Sequence, residues 1–309
     1  MIKIVYGILC HKSEEQMIEL IESLKDKENF IVIHIDKKSE ESLYRNLEKK
    51  YQEYSNIHFL KKQRKIYWGH ESIIYATLDM IKYIVNEKNI EFNYMTLLTG
   101  QDFPVKSATY INNYLSKVEY EYINLWGKLP INVWEKNEER VYTYVFSKYF
   151  FRTYKKFEMK NFEIKFLLNK LINKIIYSFL SFKVKKTNII KWYKNNKIEL
   201  YGGSQMWTLS KLCLKYILEF CEKNPEYLKS FKYSFGSDEI FFQTIIMNSP
   251  FRLKVKNQLH YIEYGNIENL VKKEVISKLE NKDILYARKF DIKDEDSKQL
   301  INYIKEKFL

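Results

Sequence analysis

Cysteine is scarce in this 309-residue chain: Cys10, Cys213 and Cys221 are the only three. An odd count with no close pair offers neither a disulfide framework nor a zinc-ligand spacing. Cys213 and Cys221 fall on one expected helix, about 12 Å apart along its axis, which is beyond disulfide reach. A reducing compartment is therefore expected. Glycine (8) and proline (4) are also few. No Gly/Ser linker and no internal repeat divides the chain, so one composite domain over 1–309 is expected. No uncharged apolar run of about 18 residues occurs, which excludes a spanning helix. The opening run Met1–Leu9 is apolar but lacks a charged leader and a cleavage site, so it reads as a first strand rather than a signal peptide. Acids are the minority, 39 against 52 Lys and Arg, for a net charge of +13.

What is present is a globular composition: 46% hydrophobic and 29% charged residues, with 26 Tyr and 20 Phe. The positive excess is placed unevenly. Fourteen basic residues lie between Lys148 and Lys197, opposed only by Glu158 and Glu163, so this stretch holds +12 of the +13. Within it, Lys160–Trp192 interleaves lysine with Phe166-Leu167-Leu168, Leu171-Ile172, Ile175-Ile176, Phe179-Leu180 and Phe182. Two readings stand. The lysines form a solvated helical face packed on the domain, or a basic amphipathic helix rests on an anionic membrane surface. Nucleic acid would use the same charge, but no recognition motif accompanies it and that partner is not favoured.

The first hundred residues alternate strand and helix. Apolar runs predict strands at Ile2–Leu9, Phe30–Ile35, Ile57–Leu60 and Tyr94–Leu98. Helices are predicted from Ser13 to about Lys25, from Ser39 to Lys50 and from Glu71 to Val85. That order predicts an α/β fold with a mostly parallel sheet flanked by helices. In such sheets ligands gather beyond the carboxyl ends of the strands. The polar residues there are Cys10-His11, then His34 and Asp36, then Gln101-Asp102. Further along, Gln205–Leu209 reads as a strand and Gly203-Ser204 as a turn of close backbone approach. Ser210–Glu222 reads as a helix, Gln258–Glu263 and Ile284–Ala287 as short strands, and Asp294–Leu309 as a terminal amphipathic helix. Ser237 is placed as the N-cap of an apolar helix that carries Asp238 and Glu239 in its first turn. Those acids either complement the helix dipole or project into a cleft.

Six short motifs occur in order: Ile33-His34-Ile35-Asp36-Lys37-Lys38; Tyr67-Trp68-Gly69 with Ser72 and Ala76; Leu97-Leu98-Thr99-Gly100-Gln101-Asp102-Phe103-Pro104-Val105-Lys106; Gly203-Ser204-Gln205-Met206-Trp207; Ser237-Asp238-Glu239; and Leu285-Tyr286-Ala287-Arg288-Lys289-Phe290. From about residue 2 to 291, the chain resembles the core-2/I-branching β-1,6-N-acetylglucosaminyltransferase family, which includes the peptide O-xylosyltransferases. The resemblance implies a GT-A-like nucleotide-sugar-binding fold and inverting transfer from a UDP-sugar without a metal ion. By that mapping 1–141 is a nucleotide-binding half, 142–200 the basic helical segment and 201–309 the acceptor and catalytic half.

The mapping makes Glu239 the general base that takes the proton of the attacking hydroxyl, with Asp238 as its local competitor. Arg288 and Lys289 would hold the leaving diphosphate, Arg by a bidentate fork and Lys as a compact charge. Asp36 would meet the nucleoside. Gln101 and Asp102 would line the donor site, Trp68 and Gly69 would floor the sugar pocket, and Gly203-Ser204 would form a substrate loop. Trp207 is either a stacking platform or core. No metal is expected, because the mid-sheet strand ends in Gly100-Gln101-Asp102 with a single carboxylate. The only Asp-x-Asp spacing, Asp294-Glu295-Asp296, reads as a solvated helix start. Donor UDP-GlcNAc is favoured, then UDP-xylose, and the expected acceptor is a hydroxyl of a glycan or lipid-linked glycan in surface polysaccharide synthesis. The chain departs from the better-known members in lacking their anchor and their cysteines. A bacterial-type enzyme is expected, in the cytoplasm and peripheral on the inner face of the plasma membrane through 148–197. The competing class is a non-catalytic basic binding protein on a sugar-nucleotide fold, associated with membrane or nucleic acid.

Overall fold

The computed structural model describes residues 2–88, 90–131, 139–144, 184–263 and 276–309. Most of the basic segment therefore lies outside the described residues.

Seven strands form the main sheet: β1 (Ile4–Cys10), β2 (Phe30–Ile35), β3 (Ile57–Phe59), β4 (Tyr94–Thr99), β6 (Glu121–Lys128), β9 (Tyr201–Ser210) and β10 (Val255–Lys256). Their order is β10-β6-β9-β4-β1-β2-β3. β1 pairs in parallel with β2 and β4, β2 with β3, and β10 with β6, while β9 runs antiparallel to both neighbours. A smaller sheet, β11-β12-β5, joins β11 (His260–Ile262), β12 (Tyr286–Arg288) and β5 (Asp102–Pro104). A third pair, β7 (Thr143–Tyr144) with β8 (Val184–Lys185), flanks the undescribed stretch. The result is the expected α/β fold with a mostly parallel central sheet.

The sheet is covered on both faces, which is why β1 reads as an unbroken apolar run. Ile4, Tyr6, Ile8 and Cys10 face a core closed by α1 (Glu14–Leu24), α2 (Glu41–Tyr51) and α11 (Glu295–Phe308). Val5 and Leu9 face the opposite core, closed by α3 (Ser72–Lys82), α7 (Lys211–Lys223) and α9 (Phe241–Met247). The remaining described helices are α4 (Ala108–Leu115), α5 (Glu139–Tyr142), α6 (Thr187–Asn195), α8 (Pro225–Ser230) and α10 (Ile276–Leu279). Side-chain caps start several of the longer ones: Ser13 accepts from Gln16 N, Ser210 from Cys213 N, and Asp294 from Ser297 N. The last of these gives the Asp294-Glu295-Asp296 run its place as a helix start.

Three local readings need correction. Gly203 and Ser204 lie inside β9 rather than in a turn, opposite a bulge in β6. The close approach itself is real, since a Cβ on Gly203 would stand 1.9 Å from Asn124 O. Ser237 caps no helix. Gly236, at φ +69°, enters a single 3₁₀ turn over Ser237–Glu239, and Ile240 breaks it from α9. Ser237 Oγ is buried without a hydrogen-bond partner. Lys186 is no surface cation either: its ammonium is buried and donates to Ser230 O, Lys232 O and Ser234 Oγ. Three acceptors match the three N–H groups and tie the start of α6 to the loop after α8.

Candidate active site

The carboxyl ends of β1, β2 and β4 open into a cleft of about 530 Å³. Leu9, Cys10 and His11 reach it from β1, Asp36 and Lys38 from β2, and Thr99 and Gln101 from β4. β9 adds Ser204 and Gln205, and β6 adds Trp126. The 3₁₀ turn before α9 brings Asp238 and Glu239, and the small sheet brings Ile262, Glu263, Arg288 and Lys289. Trp68, Ile66 and Ile73 close the remaining side. Glu239 and the Arg288–Lys289 pair thus share one cavity.

Each wall is set by local chemistry. The Asp36 carboxylate accepts from Lys38 N (2.8 Å) and Ile66 N (3.2 Å), and lies 3.4 Å from the Lys38 ammonium. It ties the end of β2 to the 61–66 loop. His34 does the same one step earlier, its Nε2 accepting from Arg64 N at 2.9 Å, which leaves it buried and structural. Gln101 is pinned to the C-terminal lobe: Phe290 N donates to its carbonyl at 2.9 Å. Ser204 is held from behind by Gln243, whose Nε2 donates to Ser204 O at 2.7 Å.

The turn bearing Glu239 is clamped onto the 67–71 loop. Gly236 N donates to Gly69 O at 2.7 Å, and Phe235 meets the edge of Trp68 at 5.3 Å between ring centres. Gly69 itself stands at φ +71°. Glu239 keeps a third of its side-chain surface exposed, and its Oε2 lies 3.6 Å from Arg140 Nη1. Burial and the adjacent Asp238 carboxylate push Glu239 above the ordinary carboxylate range, while Arg140 pulls it back. Asp238 is also raised by burial, against the pull of Arg140 and Arg288. Two neighbouring carboxylates in one cleft resist ionising together, so one of them holds a proton more tightly than an isolated acid. The basic wall shows the mirror effect. Burial and then Arg288 lower the Lys289 pKa, and burial and then Lys12 lower that of His11.

Four of the expected site residues stand outside the cleft lining. Trp207 is fully buried against Phe242 and belongs to the core. Asp102 is buried, with Oδ2 accepting from Thr99 N and Thr99 Oγ1, both at 2.6 Å. It shapes the β4–β5 turn and backs Arg288, whose Nε lies 3.9 Å from Oδ1. Gly69 contributes backbone to the clamp, and Gly203 gives clearance between β6 and β9. Conversely, Lys38, Trp126, Gln205, Glu263 and Arg140 were not assigned from sequence. Lys38 and Gln205 lie within two of the six ordered motifs, while Arg140 carries no local signal. Among the described residues, no group of three or more His, Cys, Asp or Glu side chains gathers as a metal site.

A family model described as core-2/I-branching enzyme matches residues 4–286. The mouse β-1,3-galactosyl-O-glycosyl-glycoprotein β-1,6-N-acetylglucosaminyltransferase 4 is 22% identical over 247 residues, covering 79% of this chain and 46% of that protein. Rat xylosyltransferase 2 is 25% identical over 118 residues, covering 38% of this chain and 14% of its own length. The chain thus spans less than half the length of these curated relatives. Among solved structures, mouse xyloside xylosyltransferase 1 superimposes with a TM-score of 0.38 at 9% identity, covering 93% of this chain and 97% of that one. Core-mannan synthase A of Aspergillus fumigatus gives 0.36 at 10% identity, covering 82% and 72%.

Proposed function

The chain belongs to the core-2/I-branching enzyme family, and from that premise we propose that it is an inverting glycosyltransferase that moves a sugar, GlcNAc before xylose, from a UDP-sugar to a glycan hydroxyl. The observation that carries this reading is the shared cleft, with a raised-pKa carboxylate on one wall and two cations on the other. An acceptor hydroxyl attacks C1 of the donor sugar while Glu239 accepts its proton. The C1–O bond to the diphosphate breaks on the opposite face, and its electron pair leaves with the diphosphate. Arg288 and Lys289 stabilise that charge, so the step needs no bivalent ion. Asp36 and Lys38 meet the nucleoside end, at the carboxyl edge of β2 where such ligands lie. Trp68, 69% exposed at the rim, offers a face to a sugar ring.

The test is Glu239→Gln, assayed for transfer from UDP-GlcNAc and for UDP binding by calorimetry. Removing a general base is expected to cost roughly 10²–10⁴-fold in kcat while UDP affinity survives. Normal transfer by that variant would refute the base assignment. Activity abolished by EDTA and restored by Mn²⁺ would refute the metal-free step, and wild-type protein without uridine selectivity would favour a charge-driven binding protein.

A further inference from the structure

Arg140 lies on α5, about a hundred residues before the acids it meets. Its guanidinium reaches the 3₁₀ turn in two ways. It lies over the Phe235 ring, 5.3 Å from the centroid, and it places Nη1 at 3.6 Å from Glu239 Oε2. The path between them runs through the space that a side chain at position 236 would fill. A Cβ built on Gly236 would stand 2.2 Å from Arg140 Nη1 and 3.1 Å from Glu239 Oε2. The absence of a side chain at 236 therefore serves two ends. It permits the left-handed backbone that launches the turn, and it leaves the guanidinium and the carboxylate room to meet.

We infer that Arg140 is a positioning residue that fixes the Glu239 carboxylate toward the cleft and favours its ionised form. The inference rests on the proposed role of Glu239 as base. Among the described residues, the charged groups beside Glu239 are Asp238 on its own turn and Arg140 from α5. Across the cleft stand His11, Asp36, Lys38, Glu263, Arg288 and Lys289. Asp238 makes Glu239 bind its proton more tightly, and Arg140 opposes it. Arg288 acts on Asp238. Arg140 is thus the cation on the base side of the pair. A planar guanidinium also restrains the direction of the carboxylate, which a mobile ammonium does less well.

The sign follows. A nearby cation favours the ionised acid, so removing it raises the Glu239 pKa. A base is active when deprotonated, so activity falls as pH drops through that pKa. The acid limb of kcat must therefore move to higher pH. The experiment compares wild type, Arg140→Lys and Arg140→Ala, each checked for native circular dichroism. Glutamate is labelled with ¹³C at the carboxyl, and Glu239→Gln identifies the resonance by its loss. Because Glu239 is a third exposed, the low end of charge-pair effects applies. Arg140→Ala is expected to raise the midpoint by roughly one pH unit and the kcat limb by the same amount, with Arg140→Lys moving less. Unchanged UDP affinity by calorimetry is expected beside it. A Glu239 midpoint and a kcat limb that both stay in place in Arg140→Ala would overturn the inference. If Arg140→Ala does not fold, Arg140→Gln carries the same expectation and the same refutation. The titration is recorded without any sugar donor. A midpoint that moves while Glu239→Gln transfers normally would therefore sink the proposed base and leave the Arg140–Glu239 contact standing.

Discussion

Gly236→Ala is the smallest perturbation that separates the backbone of the turn bearing Glu239 from its electrostatics. At φ +69°, an alanine carries the left-handed penalty, roughly 1–2 kcal/mol. The steric cost is then decided by what gives way. The nearest atom to the new methyl is Arg140 Nη1 at 2.2 Å, the far end of a flexible side chain, so the guanidinium moves aside and the backbone stays. The fold should survive with only the conformational penalty, a fall in Tm of about 2–6 °C for a chain of this size. Function should suffer more. With the guanidinium displaced, Glu239 loses both its restraint and its compensating charge. A kcat loss of roughly 10–100-fold is expected from misplacement alone, with the acid limb moved upward as for Arg140→Ala. Scanning calorimetry and a pH series of initial rates measure the two effects on one preparation. A variant that shows the expected drop in Tm but keeps the wild-type kcat and acid limb would refute the claim that this contact matters.

The two tryptophans quoted with the motifs should part company. Trp207→Ala, at a fully buried site, should cost roughly 3–5 kcal/mol in urea unfolding. Trp68→Ala should leave stability within about 0.5 kcal/mol and raise the acceptor KM instead; equal stability losses would contradict the placement of Trp68 at the rim. On its proposed role, Arg288→Ala removes a charge-assisted contact to the diphosphate, so UDP should bind roughly 10–100-fold more weakly by calorimetry. Unaltered UDP affinity would remove Arg288 from the donor site.

Much of the cleft was legible because strand ends are legible. β1, β2 and β4 are apolar runs that stop at polar residues, and a parallel sheet sends all those stops to one edge. That logic brings Asp36 and Gln101 together from the sequence alone. It could not place Trp207, because an aromatic in a strand buried on both faces has no polar alternation to betray which face it takes. It misjudged Ser237, because Ser-Asp-Glu before an apolar run is the same string whether it begins a helix or a 3₁₀ turn. The left-handed Gly236 decides between them, and φ is not written in the sequence. It left β6 unseen and read Gly203-Ser204 as a turn, since glycine in a strand is legible only once the neighbouring strand is known to press on it. Arg140 was invisible for a different reason. Its four-residue helix is too short for periodicity, and its partner is brought to it by tertiary folding alone.

The arrangement of charges in the cleft answers a conflict that the proposed metal-free transfer must meet. The diphosphate needs cations close by, and the base needs to remain basic, yet a cation beside a carboxylate lowers its proton affinity. Asp238 stands in the chain between the two demands. It is the acid that feels Arg288, while its own charge raises the proton affinity of Glu239. Arg288 therefore acts on the proposed base indirectly, through the charge of Asp238. Arg140, reaching Glu239 from the other side, limits how far that rise can go. Were Asp238 uncharged, only burial would oppose Arg140, and the base would weaken. Were Arg140 absent, the pair would share a proton and Glu239 would spend more of its time as an acid. The proton affinity of Glu239 is set first by burial and then by the balance of these two neighbours, and neither can be changed without moving it.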